Sequence, residues 1–377
     1  MAVSLPSAPE GEDRMTSFTT VQTAAMQRAL RAAACPDAPP GPNPRVGCVI
    51  LSPDGDVLAE GHHRGAGSAH AEVDALANLA ATGASARGAT VLVTLEPCNH
   101  QGRTGPCVKA LLDAGVAEVI YAQDDPTEQA GGGAAALEAA GVRVRRGLCA
   151  QEAARLNRPW LLAVTRGRPM VTWKLAATLD GRIAAADGTS QWITPVAARH
   201  DAHRLRRQCD AIMVGTGTAL ADDPALTVRD EAGQPAPAHL QPLRVVVGSR
   251  SLPATSRVLA DDHYLLLPDH DPHAVLAVLA ERKIRHVLLE GGPTLATAFL
   301  RAGLVDQVVA YTAPALLGAG PAALADFGAA TIGDALRLSH PRVEVLGAGD
   351  ELAVRFCGDL EANDVPTAHF HTEEESH

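Results

Sequence analysis

Apolar segments alternate with helix-periodic segments along the first part of the chain, and together they predict one sheet covered by helices. The first helix is predicted at 19–33, with Thr19 or Thr20 as its N-cap and with Met26 and Leu30 on its apolar face. Short apolar runs bounded by turn residues predict strands at 46–51, 57–61, 89–95, 116–122 and 142–145. Further helices are predicted at 70–80, from Pro106 to a C-cap at Gly115, and at 133–140. The order α-β-β-α-β-α-β-α-β predicts a single sheet with helices on both faces.

The second part of the chain resumes the mixed pattern after a predicted bridge at 157–169. Strands are predicted at 170–176, 211–214, 244–247, 264–267, 286–289, 307–311 and near 343–356, and helices at 195–207, 273–281 and 293–302. A stretch rich in Pro and Ala at 231–242 predicts a loop insertion. We therefore expect two α/β domains, at 19–163 and 168–357.

The two ends of the chain lack this pattern. Residues 1–18 are predicted to be a disordered extension, and Met15 is a second candidate start. The segment from Met1 to Arg14 has neither the basic nor the apolar region of a signal peptide. Residues 358–377 are predicted to be a disordered tail, and we interpret its histidines as solvated rather than metal-binding.

Composition narrows the class of protein. A length of 377 residues predicts about two domains, and 46% apolar residues suffice for two cores. No apolar run reaches the roughly 18 residues of a membrane span. Seven scattered cysteines, an odd number, are typical of a reduced, cytoplasmic protein. A net charge of −11 argues against nucleic acid as a partner, because such partners require a basic surface.

One constellation in the first part carries hydrolytic metal chemistry. It consists of His70-Ala71-Glu72, Pro97-Cys98 and Pro106-Cys107. A catalytic zinc takes three protein ligands and leaves one position open, and His70, Cys98 and Cys107 supply an imidazole and two thiolates. Glu72 then acts as the proton shuttle rather than as a ligand, which is the arrangement of zinc deaminases of heterocyclic amines. The alternative is one histidine and two buried cysteines without a joint role.

The spacing of the two cysteines bears on the substrate. Deaminases of nucleosides and nucleic acids use P-C-x-x-C, whereas eight residues, 99–106, separate the cysteines in this chain. The insert includes His100, Arg103 and Thr104, which suit an anionic, hydrogen-bonding substrate.

The second part contains several motifs, with two glycine turns among them. The motifs are WKLAATLDGR from Trp173, SQWIT from Ser190, VGTGT from Val214, DDPALTVR from Asp222 and LEGGPTL from Leu289. A Gly-Gly-Pro-Thr turn from a strand into a helix exposes backbone N–H groups, where a pyrophosphate binds favourably. The G-x-G-x-x-G fingerprint is absent, so the pattern is not of the Rossmann type, and a purely structural role for both glycine turns stays open.

The chain strongly resembles the bifunctional riboflavin-biosynthesis deaminase–reductase family over about residues 19–357. The first half matches in PNPRVG from Pro42, in His70-Ala71-Glu72 and in TLEPCNHQGRTGPC from Thr94, with Gly105 where the family usually has Pro. The second half matches in the order and spacing of the motifs given above. The resemblance implies a cytidine-deaminase-like α/β/α sandwich followed by a dihydrofolate-reductase-like α/β domain, with one zinc ion per chain and NADPH as cofactors.

Carried over to the first half, the resemblance implies that Asn43, His100 and Arg103 bind the substrate base or phosphate. A turn residue beside prolines is the alternative for Asn43, and a surface charge is the alternative for Arg103. His62 and His63 are interpreted as strand-end or loop residues, because the ligand set is already complete.

Carried over to the second half, the resemblance implies a cofactor set and a substrate set. The cofactor contacts would be Ala176, Trp192, Thr218, Asp222, Ser249, Gly292, Pro293, Thr294, Leu295, Ala296, Thr297 and Ala298. The substrate contacts would be Ser190, Arg206, Leu226, Arg229 and Glu290. Arg206 and Arg229 can form bidentate contacts with a phosphate. Gly248 departs from the family's Asp, Arg250 is a candidate for the 2′-phosphate, and Lys174 faces the substrate or lies at the surface.

The implied reactions are consecutive steps towards riboflavin. The first domain would remove the 2-amino group of 2,5-diamino-6-(5-phosphoribosylamino)pyrimidin-4-one, and the second would reduce the ribosyl group of 5-amino-6-(5-phosphoribosylamino)uracil to ribityl. We expect a small phosphorylated pyrimidine as the partner, no nucleic acid or membrane, and a homo-oligomer. Two alternatives stay open: a nucleic-acid base deaminase, and a chain whose reductase half only binds a ligand.

Overall fold

The structure, a computed structural model, describes residues 17–35, 41–100, 105–127 and 131–360. The chain forms two compact units that divide between Leu161 and Leu162. Within the described ranges, no helix combines the length and the apolar character needed to cross a membrane.

The first unit is a five-stranded sheet with helices on both faces. Its elements are α1 (Thr20–Ala33), β1 (Gly47–Leu51), β2 (Val57–His62), α2 (Ala71–Ala81), β3 (Thr90–Val93), α3 (Cys107–Ala114), β4 (Glu118–Tyr121), α4 (Gly133–Ala139), β5 (Arg143–Arg146) and α5 (Ala150–Leu156). The next helix, α6 (Arg158–Arg166), spans the division between the two units. The strand order is β2-β1-β3-β4-β5, and β3, β4 and β5 run parallel, so their carboxyl ends share one edge. The predicted element order is confirmed from α1 to β5.

Two hydrophobic layers hold this sheet. On one face, Met26 and Ala29 of α1 pack with Val49, Leu92 and Ile120 of the strands. On the opposite face α2, α3 and α4 bury a second cluster, to which they contribute Ala71, Ala75, Leu79, Val108, Leu111 and Leu137. The strands are nearly continuous apolar runs because both of their faces are covered.

Two predictions for the first part of the chain differ from the structure. The predicted bridge at 157–169 contains the helix α6, and α5 precedes it. Pro159 is compatible with α6 because it lies in the first turn, where a backbone N–H has no helical partner. The predicted disordered extension reaches too far, since Phe18 packs against the first core and lies 4.9 Å from the Arg145 guanidinium. Residues 1–16 of that extension lie outside the described residues.

The second unit is an eight-stranded sheet. Its elements are β6 (Met170–Thr178), α7 (Val196–Arg207), β7 (Ala211–Gly215), α8 (Thr216–Asp222), β8 (Leu243–Val247), β9 (Tyr264–Leu267), α9 (Pro272–Glu281), β10 (His286–Leu289), α10 (Pro293–Arg301), β11 (Gln307–Ala313), β12 (Ser339–Leu346) and β13 (Ala353–Asp359). The strand order is β12-β13-β11-β6-β10-β7-β8-β9. The six adjacent strands β11, β6, β10, β7, β8 and β9 run parallel to one another. At one side of the sheet, β13 pairs antiparallel with β11, and β12 pairs antiparallel with β13.

The second unit corrects two further predictions. The helix α8 was not predicted, because its TGTALAD sequence begins with Thr and Gly, which are poor helix formers. The disordered tail was predicted from residue 358, but Gly358 and Asp359 belong to β13 and pair with β11. Residues 361–377 lie outside the described part of the chain.

The parallel strands place their carboxyl ends along one edge of the second sheet. The segments that follow β6, β10, β7 and β8 therefore lie side by side at this edge. Open α/β sheets bind ligands in the crevice at the carboxyl ends of the strands, where the strand order reverses. In this sheet the chain runs from β7 through β8 to β9 on one side, whereas from β10 it runs past β6 to β11 on the other side. The order of the strands therefore reverses at β10, between β6 and β7.

Candidate functional site

Three potential metal ligands from separate elements converge in the first unit. His70 is the N-cap of α2, Cys98 follows β3, and Cys107 is the first residue of α3. His70 Nδ1 lies 3.2 Å from Cys107 Sγ and 3.4 Å from Cys98 Sγ, and the two sulfurs are 3.5 Å apart. A tetrahedral zinc with Zn–S bonds of about 2.3 Å and a Zn–N bond of about 2.0 Å separates its ligand atoms by roughly 3.5 Å. The donor set therefore fits zinc in type and in spacing.

Protonation within this cluster is strongly perturbed. A hydrogen bond with Cys107 lowers the pKa of Cys98 to about 4, and the same bond together with burial raises the pKa of Cys107. The hydrogen bond with Cys98 raises the pKa of His70. The two sulfurs and the imidazole thus share protons at short range. A bound cation would replace these protons and stabilise both thiolates. In the part of the chain that the structure describes, these three residues are the one cluster of this kind.

Glu72 lies in the first turn of α2, beside these donors. Its side chain is 3% exposed, and burial raises its pKa to about 7. A carboxyl group with a pKa near the working pH both accepts and returns a proton efficiently. Asp74, in the same turn, accepts the backbone N–H of His62 at 3.0 Å and thereby ties the start of α2 to the end of β2.

His63 links the loop that carries Asn43 to the metal centre. Asn43 Nδ2 lies 2.9 Å from His63 Nε2, and His63 Nδ1 lies 3.0 Å from the Ala69 carbonyl oxygen. Burial lowers the pKa of His63, so a neutral ring donates from Nδ1 and accepts at Nε2. The His63 and His70 rings meet edge to face at 5.6 Å. His63 is therefore a positioning residue that the sequence interpretation had placed in a loop without a role.

The same loop is anchored by Asn157. Its Oδ1 accepts the Arg45 N–H at 2.8 Å and its Nδ2 donates to the Arg45 carbonyl at 2.9 Å. Asn157 is 2% exposed. No sequence pattern indicated this pairing, because the two residues are 112 positions apart.

The inter-cysteine insert is described only in part. His100 Nδ1 is buried and has no hydrogen-bond partner among the described residues. Such an atom is costly unless a ligand or water meets it. Arg103, the other predicted contact in this insert, lies outside the described residues.

Two glycine turns meet at the carboxyl edge of the second sheet. Thr218 of α8 accepts the backbone N–H of Gly292 at its Oγ1, at 3.0 Å. This bond joins the turn after β7 to the turn after β10, and Gly292 is the N-cap of α10. The two segments predicted to contact the cofactor are therefore neighbours in the fold.

A buried ionic cluster lies next to these turns. Arg206 Nε donates to Glu290 Oε1 at 2.6 Å, and its Nη2 donates to Oε2 at 2.9 Å. Lys174 Nζ lies 3.9 Å from Glu290 Oε2 and 5.8 Å from the Tyr311 ring centroid. Burial opposes ionisation of Glu290, but Arg206 and Lys174 outweigh it and lower its pKa to about 2. Lys174 lies within β6 and burial lowers its pKa, so it is not a surface residue at a strand end.

Exposed groups line the same edge beyond this cluster. The Trp192 ring is 68% exposed, and the Arg199 guanidinium lies 4.6 Å from its centroid. After β8, Ser249 Oγ lies 3.4 Å from His270 Nε2, and Arg250 Nε donates to Thr216 Oγ1 at 3.4 Å.

Several predicted contacts do not present side chains to a ligand. Leu226 adopts a φ of 48° and is 3% exposed within the core. Ala296 and Thr297 are buried on the inner face of α10. Arg229 donates from Nη1 to the Gly233 carbonyl at 2.8 Å. The remaining predicted contacts are only partly buried or exposed: Ala176, Ser190, Asp222, Pro293, Thr294, Leu295 and Ala298.

Family models match both halves of the chain. Residues 19–123 match the cytidine and deoxycytidylate deaminase zinc-binding region. Residues 169–349 match the RibD C-terminal domain. The two matches fall on the segments that supply the two sites described above.

Relatives of known name match over most of the chain. The riboflavin biosynthesis protein RibD of Mycobacterium tuberculosis is 52% identical over 308 residues, which are 81% of this chain and 89% of that protein. The solved structure of Acinetobacter baumannii RibD, form 1, is 36% identical with a TM-score of 0.81, over 90% of this chain and 99% of that one.

A second solved structure extends the comparison. It is a diaminohydroxyphosphoribosylaminopyrimidine deaminase/5-amino-6-(5-phosphoribosylamino)uracil reductase from Thermotoga maritima. It is 30% identical to this chain with a TM-score of 0.80, over 90% of this chain and 99% of that one. The expected fold class, a deaminase-like α/β/α sandwich and a second α/β domain, is confirmed by these similarities.

Proposed function

The chain belongs to the RibD family of riboflavin biosynthesis proteins, and we propose which of its residues carry out each of two reactions. It is a bifunctional enzyme with a zinc-dependent deaminase domain and a reductase domain. We assign the domains to residues 19–163 and 168–357 as predicted, with Phe18 added to the first and Gly358 and Asp359 added to the second. The first removes the 2-amino group of 2,5-diamino-6-(5-phosphoribosylamino)pyrimidin-4-one, and the second reduces the ribosyl group of the deaminated product.

The convergence of His70, Cys98 and Cys107 carries the deaminase assignment. These residues would hold the zinc ion, since their donor atoms all lie within 4.8 Å of one another. Bound zinc acts as a Lewis acid that makes water reactive near neutral pH. Glu72 removes a proton from the attacking water and delivers it to the departing amine, so that water and the amine exchange for a carbonyl and ammonia.

Asn43, His100 and Arg103 would bind the base and the phosphate. Asn43 is exposed beside the metal centre and is held by His63. The unpartnered Nδ1 of His100 supports a contact with substrate. Arg103 supplies a positive charge from the same insert.

The reductase site would lie at the carboxyl edge of the second sheet. NADPH supplies the hydride for C1′ of the ribosyl group, and the protein aligns the two molecules. The turn at 292–298 with Thr218 would bind the cofactor pyrophosphate, and Trp192 and Ser249 would flank it. Arg250 and Ser249 would meet the 2′-phosphate, because both lie exposed after β8.

Glu290 and Arg206 would form the substrate side of this site. Because Arg206 is engaged by Glu290, we assign it the role of holding that carboxylate for substrate hydroxyl groups. Ser190 and the backbone of Leu226 would complete the substrate contacts, and Arg229 would bind phosphate after releasing its bond to the Gly233 carbonyl.

We further propose a homo-oligomer that acts in the cytoplasm on a small phosphorylated pyrimidine. Val343 and Phe356 pair across β12 and β13 and are 58% and 41% exposed, and Val345 on the same face is 63% exposed. An apolar sheet face of this kind supports contact with a second copy. All seven cysteines are free, which agrees with a reducing compartment. Sedimentation of the protein and fractionation of cells test these two points.

Metal analysis coupled to a two-step assay tests the proposed function. We expect one equivalent of zinc, ammonia release from the diaminopyrimidine phosphate, and NADPH oxidation on the deaminated product. Chelation of the metal should abolish ammonia release and leave NADPH oxidation on the deaminated product intact. Stoichiometric zinc in a Cys98→Ser variant with normal deamination would contradict the assignment of the centre.

A further inference from the structure

Glu96 is a buried carboxylate that lies two residues before Cys98. Its side chain is 9% exposed, and its hydrogen-bond partners among the described residues are backbone N–H groups. Oε1 accepts the N–H of Gly132 at 3.1 Å and the N–H of Ala134 at 3.0 Å. Oε2 accepts the N–H of Asp125 at 3.4 Å. One carboxylate thus fixes the segment after β4 and the start of α4.

The start of α4 has no cap of its own. Its N-cap is Gly132, which has no side chain to accept a hydrogen bond. The first N–H groups of a helix have no partner within the helix, and a carboxylate there also interacts favourably with the helix dipole. Glu96, which lies three residues after the end of β3, supplies this cap.

The capped helix rests directly on the segment that carries a metal donor. A Cβ atom at Gly133 would lie 1.8 Å from the Pro97 carbonyl oxygen, so the backbone of α4 packs against the residue before Cys98. On its other side, the Cys98 carbonyl accepts the N–H of Val108 at 3.3 Å. Residues 97–98 are therefore held between α4 and α3.

We propose that Glu96 is a positioning residue for the metal centre: by fixing α4 against Pro97, it sets the position of the Cys98 sulfur. Groups that orient metal ligands affect affinity strongly, and their loss typically lowers metal affinity or activity by about 10- to 100-fold. This inference rests on the proposed zinc site. It assigns Glu96 no contact with substrate.

Metal binding in four variants tests this role. Glu96→Ala removes all three contacts, Glu96→Gln keeps one carbonyl oxygen for α4, and Gly133→Ala disturbs the same contact from the opposite side. The matched control is Glu118→Ala, which removes another buried carboxylate of the same unit, 6% exposed and paired with Arg145. Zinc affinity is measured by competition with a chromophoric chelator, and the thiolate-to-metal and d–d bands are recorded with Co²⁺.

We expect Glu96→Ala and Gly133→Ala to weaken zinc binding by about 10- to 100-fold and to alter the Co²⁺ spectrum, with a smaller effect for Glu96→Gln. Glu118→Ala should lower the melting temperature and leave both metal readouts unchanged. If Glu96→Ala does not fold, Glu96→Gln decides the question, because it keeps the size of the side chain.

Wild-type zinc affinity and wild-type Co²⁺ spectra in the Glu96 and Gly133 variants would overturn the inference. Glu96 would then contribute to the stability of the fold alone. The proposed function would fail separately, through a wild-type protein that binds no zinc or a Cys98→Ser variant that binds it normally. NADPH oxidation should be unchanged in every folded variant.

Discussion

Arg206 binds Glu290 through two parallel hydrogen bonds, 2.6 and 2.9 Å long, although 84 residues separate them. The third guanidinium nitrogen, Nη1, donates to the Thr227 carbonyl at 3.0 Å. The sequence interpretation assigned Arg206 to a substrate phosphate, but its donors are engaged within the protein. Arg206 therefore holds the Glu290 carboxylate in place at the carboxyl ends of the strands of the second sheet.

Arg206→Lys should impair reduction and spare deamination. A lysine cannot reproduce the bidentate geometry, so Glu290 would shift, and a shift of about 1 Å costs roughly 100-fold in rate. NADPH oxidation and ammonia release, measured separately, check this expectation. Arg204→Ala is the matched control, because Arg204 lies on the same helix with a side chain that is 61% exposed. Equal loss of both activities in Arg206→Lys would contradict a local role.

The stability of the second unit should fall as the pH falls from about 6.5 to about 4. Burial, with Arg206 as the next cause, lowers the pKa of His203 to about 4. Because the unfolded histidine binds its proton at higher pH, the neutral side chain stabilises the fold above its unfolded pKa, and this contribution is lost on acidification.

Calorimetry between pH 4 and 7 measures this effect, and His203→Asn should flatten the pH dependence of the melting temperature. His200→Asn is the comparison, since His200 lies one turn away on α7. An identical slope in wild type and His203→Asn would assign the acid sensitivity to other groups.

Glu72→Gln should lose deamination by roughly 10²- to 10⁴-fold while zinc stays bound. The amide keeps the size of the side chain but cannot carry the proton. Ammonia release and metal content are measured on the same preparation. Asp74→Asn, in the same helical turn, should retain most activity because Asp74 binds Arg64 and the His62 backbone. Persistent ammonia release in Glu72→Gln would exclude the shuttle role.

Asn157→Ala should lower stability by about 1–3 kcal/mol, because it leaves both polar groups of Arg45 without this partner. It should also raise the KM for deamination, since Asn43 lies on the same segment. Thermal unfolding and initial rates measure both effects. Asn78→Ala is the control, as Asn78 makes one exposed bond to the Glu60 carbonyl. A stability loss with an unchanged KM would separate Asn157 from substrate binding.

The metal centre could be predicted from sequence because its chemistry is local. His70 and Glu72 share one helical turn, and each cysteine follows a proline. The Arg206–Glu290 pair could not be predicted, because it depends on the order of strands in the second sheet. Leu226 and Ala296 were assigned to ligands by position in a motif, whereas their side chains pack in the core.

Gly248→Asp, which introduces the residue that the family resemblance implies at this position, should destabilise the second unit and weaken NADPH binding. Gly248 has a φ of +124°, and a Cβ there would lie 2.7 Å from Thr216 Oγ1. Residues other than glycine pay about 1–3 kcal/mol for such a backbone conformation, and the contact adds to it. Ser249 follows directly, so displacement of this turn also moves a proposed cofactor contact.

Two comparisons separate backbone strain from the contact with Thr216. Gly233→Ala adds a Cβ at a positive φ, +78°, without a contact, because nothing lies within 4 Å of it. Gly248→Ala should therefore be less stable than Gly233→Ala, and adding Thr216→Ala should recover part of the difference. The KM for NADPH and the melting temperature are measured for each variant. A Gly248→Asp protein with wild-type stability and KM would show that this turn accommodates aspartate. The structure would then not explain why glycine occurs at this position.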